Sequence, residues 1–384
     1  MEKQTKVLKK IKNNLNSGQA NTMLGVKNND ECYTQPQDIL NELSRWAALD
    51  KFRGKNIICP CDWDIVAGEN IYSLTIKYKD VGVEVVGNEA YKTVESVQYD
   101  LWSDDDTPVI TRITLKEDEI EDFLRDKLKC NFIQMLAQNA RPWGIKSITA
   151  SGYDPVRDKG IKFQEVDYTK YDICITNPPF SLKAEFMECI VDKINFIVLL
   201  PFVSRNKNPI GIPMMLGKAY LGYSGHTPAG YLAMEFENPT KENNYSGYKK
   251  VACDWVVSYP EAQLERNARH FKSGIKYDLY KDDYPVITTM QMKDGTAPIK
   301  VPSDTFPEDY TGWMFTTINA IPRLDDTYEW YATDTTGFFN KDPRGKAISP
   351  FAGHWTCDKM QLNGKKLFGG IVFRKKPVGG TTND

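Results

Sequence analysis

The sequence predicts an α/β protein built on a doubly wound, mostly parallel sheet, with an inserted β-rich segment and an irregular C-terminal domain. Strand-like apolar runs at 145–150, 161–166, 172–176 and 195–203, with a helical run at 182–191 among them, predict the sheet. Strands that alternate with helices pair in parallel, because each helix carries the chain back across a sheet face. The C-terminal domain is predicted by a change of texture near residue 263, where aromatic and Pro/Gly-rich segments without a helical period replace that alternation.

Residues 1–30 are polar and rich in Asn and Lys, with one weak amphipathic run, Val7, Leu8, Ile11 and Leu15, and read as a basic arm. Ile39, Leu40, Leu43, Trp46 and Ala47 then repeat at helical spacing, and Pro36 suits a first helical turn. A short buried strand is expected at 56–61, ending in Pro60-Cys61-Asp62. Residues 66–117 hold alternating strand-like runs at 72–78 and 83–86 and the acidic Asp104-Asp105-Asp106, and read as a small β-rich excursion. Ile120, Phe123, Leu124, Leu128, Phe132 and Leu136 mark one long helix running to about Ala140. The chain closes on a strand-like 367–374 and a polar tail.

At 384 residues the chain is long enough for two domains, and 41% hydrophobic with 26% charged residues is ordinary for a soluble protein. The longest strongly apolar stretch, 196–203, is far too short to span a bilayer, and the N-terminus lacks a signal-peptide core, so a cytoplasmic protein with no membrane association is expected. Eight scattered cysteines, whose one close pair Cys59-Pro60-Cys61 is C-x-C, and three histidines give no metal constellation; reduced thiols follow. A net charge of −2 is unusual for a nucleic-acid partner, but basic clusters at Lys9-Lys10-Lys12, Lys249-Lys250, Lys365-Lys366 and 374–376 stand apart from the acidic ones.

The most informative residues are Asn177-Pro178-Pro179-Phe180, directly after the apolar run 171–176. An exocyclic amine conjugated to a π-system is a poor nucleophile. It needs acceptors for both of its hydrogens so that its lone pair can face an electrophilic methyl group. The Asn177 side-chain oxygen and the Pro178 carbonyl suit that task, two prolines stiffen the turn, and Phe180 offers a stacking face. Cys61-Asp62 and 177–180 both fall at carboxyl ends of expected strands, where open α/β sheets bind ligands, so both can face one crevice.

These motifs together resemble the EcoRI-type adenine-specific DNA methyltransferases of restriction-modification systems and phages. The resemblance rests on 30–35 (Asp-Glu-Cys-Tyr-Thr-Gln), 58–62 (Ile-Cys-Pro-Cys-Asp), 175–181, and 301–305 through Tyr310-Thr311-Gly312, and it covers most of the chain. It implies a sheet of the S-adenosylmethionine-dependent methyltransferase type, with 31–262 as catalytic domain, the insertion at about 66–117, and 263–384 as target-recognition domain. It implies that Thr34 and Gln35 contact the amino-acid end of S-adenosylmethionine, with Tyr33 also cofactor-binding, and that Cys59, Cys61 and Asp62 line its methionine portion. Asp154, with Asp158 competing, would take the ribose hydroxyls, and Asp167, with Tyr168 alongside, the cofactor's adenine amino group. Asn177, Pro178, Pro179 and Phe180 would be catalytic. The implied substrate is double-stranded DNA, its adenine flipped and methylated at N6, by a monomer with a cognate restriction endonuclease as functional partner. Arg266, Arg269, His270 and Lys272 are candidate DNA contacts. Asn-Pro-Pro-aromatic also serves methylation of RNA guanine and of protein glutamine, and a catalytically silent DNA-binding protein of the same fold is the reading from another class.

Overall fold

The computed structural model describes residues 33–62, 73–79, 83–88, 110–115, 119, 122, 130–154, 159–201, 208–224, 233–237, 248–270, 276–303, 305–317, 320–321, 324, 327–332, 349–352, 361–367 and 370–377. The N-terminal arm, the acidic 104–106, Asp158, Lys272 and most of 117–129 lie outside them. The chain forms two compact units, one from 1–200 with 233–253 and one from 201–232 with 254–384.

The first unit is mixed α/β. Its centre is three parallel strands, β2 (Asn56–Cys59), β6 (Ser147–Ser151) and β9 (Ile173–Thr176), continued in parallel by β10 (Asn195–Pro201). These runs are apolar because both faces are covered: Ile57, Ile58, Ile173, Cys174, Ile175, Phe196, Ile197 and Val198 are all buried. The sheet is mixed rather than mostly parallel. Strands β3 (Ser73–Tyr78), β4 (Val83–Asn88) and β5 (Ile110–Leu115) lie antiparallel at one side, and β12 (Ala233–Glu237) and β1 (Tyr33–Thr34) at the other, giving the order β1-β12-β13-β10-β9-β2-β6-β3-β4-β5, with β13 at Tyr248–Val257. The inserted β-rich segment therefore extends the main sheet.

That extension also overturns the strand expected at 161–166. The edge of β6 where it would pair is taken by β3, with Thr75 opposite Thr149 and their hydroxyls 2.9 Å apart. Residues 163–165 instead form a 3-10 turn, with Phe163 buried and the Glu165 carboxylate accepting from the Lys162 amide. The single long helix expected to reach Ala140 is interrupted as well. Cys130 has extended backbone (φ −70°, ψ 119°) and starts a new helix, Asn131–Gln138. A further short helix, Ala140–Trp143, ends at Gly144 in the left-handed region (φ 68°), which glycine adopts at little cost, and β6 follows.

The amino ends of the central strands are stapled by side chains. The Asp172 carboxylate accepts from the Asn56 amide (2.8 Å) and from Asn56 Nδ2 (3.2 Å), while Asn56 Oδ1 accepts from Ser147 Oγ (2.8 Å). Asn56 thus ties β9, β2 and β6 together at the ends opposite their carboxyl termini. Helix Pro36–Ala48 precedes β2 and buries Ile39, Leu43 and Trp46, whose indole N–H donates to the buried Glu42 carboxylate at 2.7 Å.

The second unit centres on a four-stranded sheet, β14 (Ile299–Lys300), β15 (Met314–Thr317), β19 (Gly370–Lys375) and β16 (Tyr328–Ala332), in that order. Helix Glu261–His270 buries Gln263, whose amide donates to the Leu324 carbonyl (2.8 Å) and accepts from the Leu221 amide (3.4 Å). The Arg374 guanidinium lies 4.1 Å from the Trp313 ring centroid, and the Trp313 indole donates to Asp294 at 2.8 Å. A Cβ on Gly370 would sit 2.4 Å from both Phe315 Cζ and the Thr316 carbonyl, so the ladder must move to admit one. Gly370→Ala is accordingly expected to destabilise this unit by about 2 kcal/mol, seen as a lower thermal midpoint. An unchanged midpoint would show that the strands separate there without cost.

Among the described residues no helix is long and apolar enough to cross a membrane, and none of their His, Cys, Asp and Glu side chains group into a metal site.

Candidate active site

The chain passes from β2 to β6 on one side of it and then returns to β9 on the other. At such a reversal of strand order, open α/β sheets bind ligands beyond the carboxyl ends of the strands, which here are β2 and β9. Because the two strands are parallel neighbours, with Ile57 opposite Ile173 and Ile58 opposite Cys174, the segments leaving them emerge side by side. From β2 comes Pro60-Cys61-Asp62, and from β9 comes Asn177-Pro178-Pro179-Phe180. The Asn177 amide donates to Asp62 Oδ1 at 3.5 Å, joining residues that are 115 apart in sequence.

A third segment completes the site. Thr34, 2% exposed, sits on β1 opposite Phe236 of β12, and its hydroxyl accepts from Asn177 Nδ2 at 3.4 Å. Its carbonyl accepts from Asn131 Nδ2 at 2.9 Å. The Gln35 carbonyl receives the Asp38 and Ile39 amides and so begins helix Pro36–Ala48, leaving the side chain free of capping duty.

The turn after β9 is held by its own hydrogen bonds. The Pro179 carbonyl accepts from the Leu182 amide (2.9 Å), and the Phe180 carbonyl from Lys183 Nζ (2.7 Å). Pro178 is buried, Pro179 exposed and Phe180 half-buried. Helix Lys183–Ile190 follows and anchors the turn through the buried Phe186, Met187 and Ile190.

The chemistry of the crevice shows in its unpaired atoms. Asn177 Oδ1, Asp62 Oδ2, Gln35 Nε2 and Ser181 Oγ are all buried without a protein partner. Buried polar atoms in folded proteins are nearly always paired, so such a concentration in three converging segments marks a place built for a polar ligand. Thr176 Oγ1 is also buried and outside hydrogen-bonding geometry, yet near enough to Asp62 to favour its charge. Burial nonetheless dominates and pushes the Asp62 carboxyl up to about 7, against the weaker pull of Thr176, the Asn177 amide and Cys130. A carboxylate held at such cost gains most from a cation placed beside it. Burial, aided by Asp62, likewise pushes the thiols of Cys59, Cys61, Cys130 and Cys174 up, so they stay protonated.

Thr34, Gln35, Cys59, Cys61, Asp62 and 177–180 are thus brought to one place. Tyr33 is next to Thr34 on β1, and nothing is described of its side chain. Asp154 lies in a two-residue strand, paired with Lys159 in a hairpin just after β6, again with only its backbone described. Asp167 is exposed, and its carboxylate caps a 3-10 turn, accepting from the Thr169 amide (3.2 Å) and hydroxyl (2.6 Å) with Lys170 Nζ at 3.4 Å. Those contacts, the Thr169 hydroxyl foremost, lower its pKa and give the residue a local structural role. Tyr168 is buried with its hydroxyl on the Phe163 carbonyl. Arg266, Arg269 and His270 lie on helix Glu261–His270, in the second unit. Asn131 was not singled out by sequence; its one signal is a polar residue opening an apolar helical run, which reads as an ordinary helix start.

Compared with known proteins, the chain matches at residues 24–324 a family model described as adenine-specific methyltransferase EcoRI. No curated protein and no solved structure matches it.

Proposed function

This chain belongs to the EcoRI family of adenine-specific methyltransferases, and on that premise we propose that it methylates N6 of a flipped adenine in duplex DNA, with S-adenosylmethionine as donor. The observation that carries this reading is Asn177 Oδ1, a buried acceptor without a protein partner at the switch point between β2 and β9. An acceptor fixed there answers the one requirement of a conjugated amine, which is a partner for its N–H.

The donor set fits the cofactor. Asp62 Oδ2 is an unpaired buried carboxylate oxygen suited to the ammonium of the methionine portion, and Gln35 Nε2 is an unpaired buried donor suited to its carboxylate. Cys59 and Cys61 add neutral, polarisable surface, and the Asp154 hairpin stands at the carboxyl end of the neighbouring strand for the ribose. Asp167, engaged by Thr169, is the least suited of the expected contacts. When bound, S-adenosylmethionine supplies an electrophilic methyl group.

The protein's own part is positioning. Asn177 Oδ1 and the Pro178 carbonyl accept the two amino hydrogens and turn the nitrogen lone pair out of conjugation. Phe180 stacks on the extruded base, its backbone held by Lys183. No general base is required, because the amine becomes acidic only after the methyl group has arrived; its surplus proton would then pass to water as the demethylated donor leaves with the electrons of the broken S–C bond. The energy of the arrangement comes from acceptors fixed in advance.

The test is transfer of labelled methyl from S-adenosylmethionine to unmethylated duplex DNA of high sequence complexity, with structured RNA and a glutamine-bearing peptide in parallel. Label on N6-methyladenine in DNA is expected. Label on RNA or peptide alone would overturn the substrate.

A further inference from the structure

We infer that Ser151, the last residue of β6, is a cofactor-binding residue that holds a ribose hydroxyl of S-adenosylmethionine. The inference rests on the function proposed above. Side chains alternate along a strand, so β6 carries three hydroxyls on one face, those of Ser147, Thr149 and Ser151. The first two serve the fold. Ser147 Oγ donates to Asn56 Oδ1 at 2.8 Å, and Thr149 Oγ1 lies 2.9 Å from Thr75 Oγ1 on β3. The third, at the carboxyl end, does not. Ser151 is 2% exposed, and its Oγ is buried without a protein partner. A hydroxyl withdrawn from water and left unpaired lowers stability, so its retention at the ligand-binding end of the sheet calls for a partner that arrives later.

Register puts Ser151 at the crevice. β6 is the parallel neighbour of β2 on the side away from β9, and Ala150 is opposite Cys59, so Ser151 stands level with Pro60, where the chain turns into Cys61-Asp62. The groups already assigned leave one part of the cofactor for this edge. In that reading the methyl group must reach an amine held at Asn177, beyond β9, while the methionine ammonium and carboxylate meet Asp62 and Gln35. The nucleoside then lies across β2, over the end of β6. Its ribose diol both donates and accepts hydrogen bonds. Asp154, in the hairpin after β6, offers a carboxylate, which only accepts. A serine hydroxyl does both, so it suits a ribose hydroxyl whichever of the two supplies the shared hydrogen. Its side chain turns about a single bond, and Oγ can swing toward the strand end without disturbing the ladder to Ser73 on β3. The chain just beyond is fixed, because the Gly152 carbonyl accepts from the Ile161 amide at 2.8 Å and Tyr153 pairs with Gly160.

Ser151→Ala removes the hydroxyl and keeps the strand. Cofactor titrations of wild type and variant, with S-adenosylmethionine and with analogues lacking the 2′- or the 3′-hydroxyl, read the contact from both sides. The variant is expected to bind S-adenosylmethionine about fivefold more weakly, and the wild type to lose a similar factor with the analogue that lacks the contacted hydroxyl. Toward that analogue the two proteins should differ by less than about twofold, because the contact is already gone. The ligand-free variant should melt no lower than the wild type, since an unpaired buried hydroxyl gives the fold nothing. An unchanged Kd in a variant of a wild type that methylates DNA would overturn the inference and leave the proposed function standing. A loss equal for all three ligands, with a midpoint several degrees lower, would make Ser151 a residue of the fold instead. A wild type that binds no S-adenosylmethionine would end the proposed function and the inference with it. The expected binding pattern in a protein that labels no DNA would keep the contact and remove the substrate.

Discussion

Asn177→Ala is expected to lower methyl transfer by at least about a hundredfold while leaving S-adenosylmethionine affinity within about threefold. Removing one preorganised hydrogen-bond partner of a reacting group typically costs two to three orders of magnitude in kcat, of the order of 3 to 4 kcal/mol in transition-state stabilisation. The side chain reaches Thr34 through Nδ2, whereas its link to Asp62 is through the backbone amide, which alanine keeps. The candidate cofactor groups, Asp62 Oδ2 and Gln35 Nε2, therefore stay in place. Steady-state kcat with a direct cofactor-binding titration checks both halves. Near-normal turnover would remove Asn177 from the mechanism, and lost cofactor binding would make it part of the cofactor pocket.

Asp62→Asn should have the opposite signature: cofactor affinity falls ten- to a hundredfold, and the ligand-free protein becomes more stable at pH 8. The folded carboxyl is raised from 3.8 to about 7, so between these values the native state holds a proton that the unfolded chain has released. Stability therefore falls as pH rises from about 4 to 7 and is level above, with a total cost of at most about 4 kcal/mol. Asparagine never ionises and removes that slope. In the wild type the carboxylate needed to meet a cationic ligand forms only as pH passes 7, so cofactor binding should tighten from pH 6 to 8 and be flat in the variant. Melting curves and binding titrations at pH 6, 7 and 8 separate the effects. A wild-type affinity independent of pH would mean that Asp62 does not face the cofactor's charge. The arrangement trades stability for a binding group, as functional sites often do.

Where strands are short and buried on both faces, their apolar character is written in contiguous residues, and 56–61, 172–176 and 195–203 could be recognised closely enough to put Cys61-Asp62 and Asn177 in one crevice. Helix Pro36–Ala48 was equally legible from its period. The strand expected at 161–166 fails for a reason outside its own residues, since β3, from far upstream, holds the edge of β6. Likewise nothing local announces that 73–78 and 83–88 join the main sheet, or that β13 lies beside β10 with β12 beyond it. The coupling of Thr34 to Asn177 spans 143 residues and leaves no pattern in either segment. Asp167 shows the converse, because a carboxylate after an apolar run looks the same whether it awaits a ligand or closes a turn on Thr169.

The staple of Asp172, Asn56 and Ser147 gives the site a remote dependence. Parallel strands shift only in whole residues, and a shift of one turns every side chain to the other face. The alignment of Cys61-Asp62 with Asn177 is thus set where the strands begin, some four residues from where they end, or about 13 Å at the usual rise per residue. Substitutions at Asn56 should consequently mimic lesions of the crevice, with activity lost more steeply than thermal stability, although Asn56 touches no group that binds or reacts. In a survey of random variants such positions would be mistaken for contacts, and the distinction would lie in their shared response: one change at the foot of the sheet would disturb the Asp62 and Asn177 segments together, whereas a true contact would disturb its own alone.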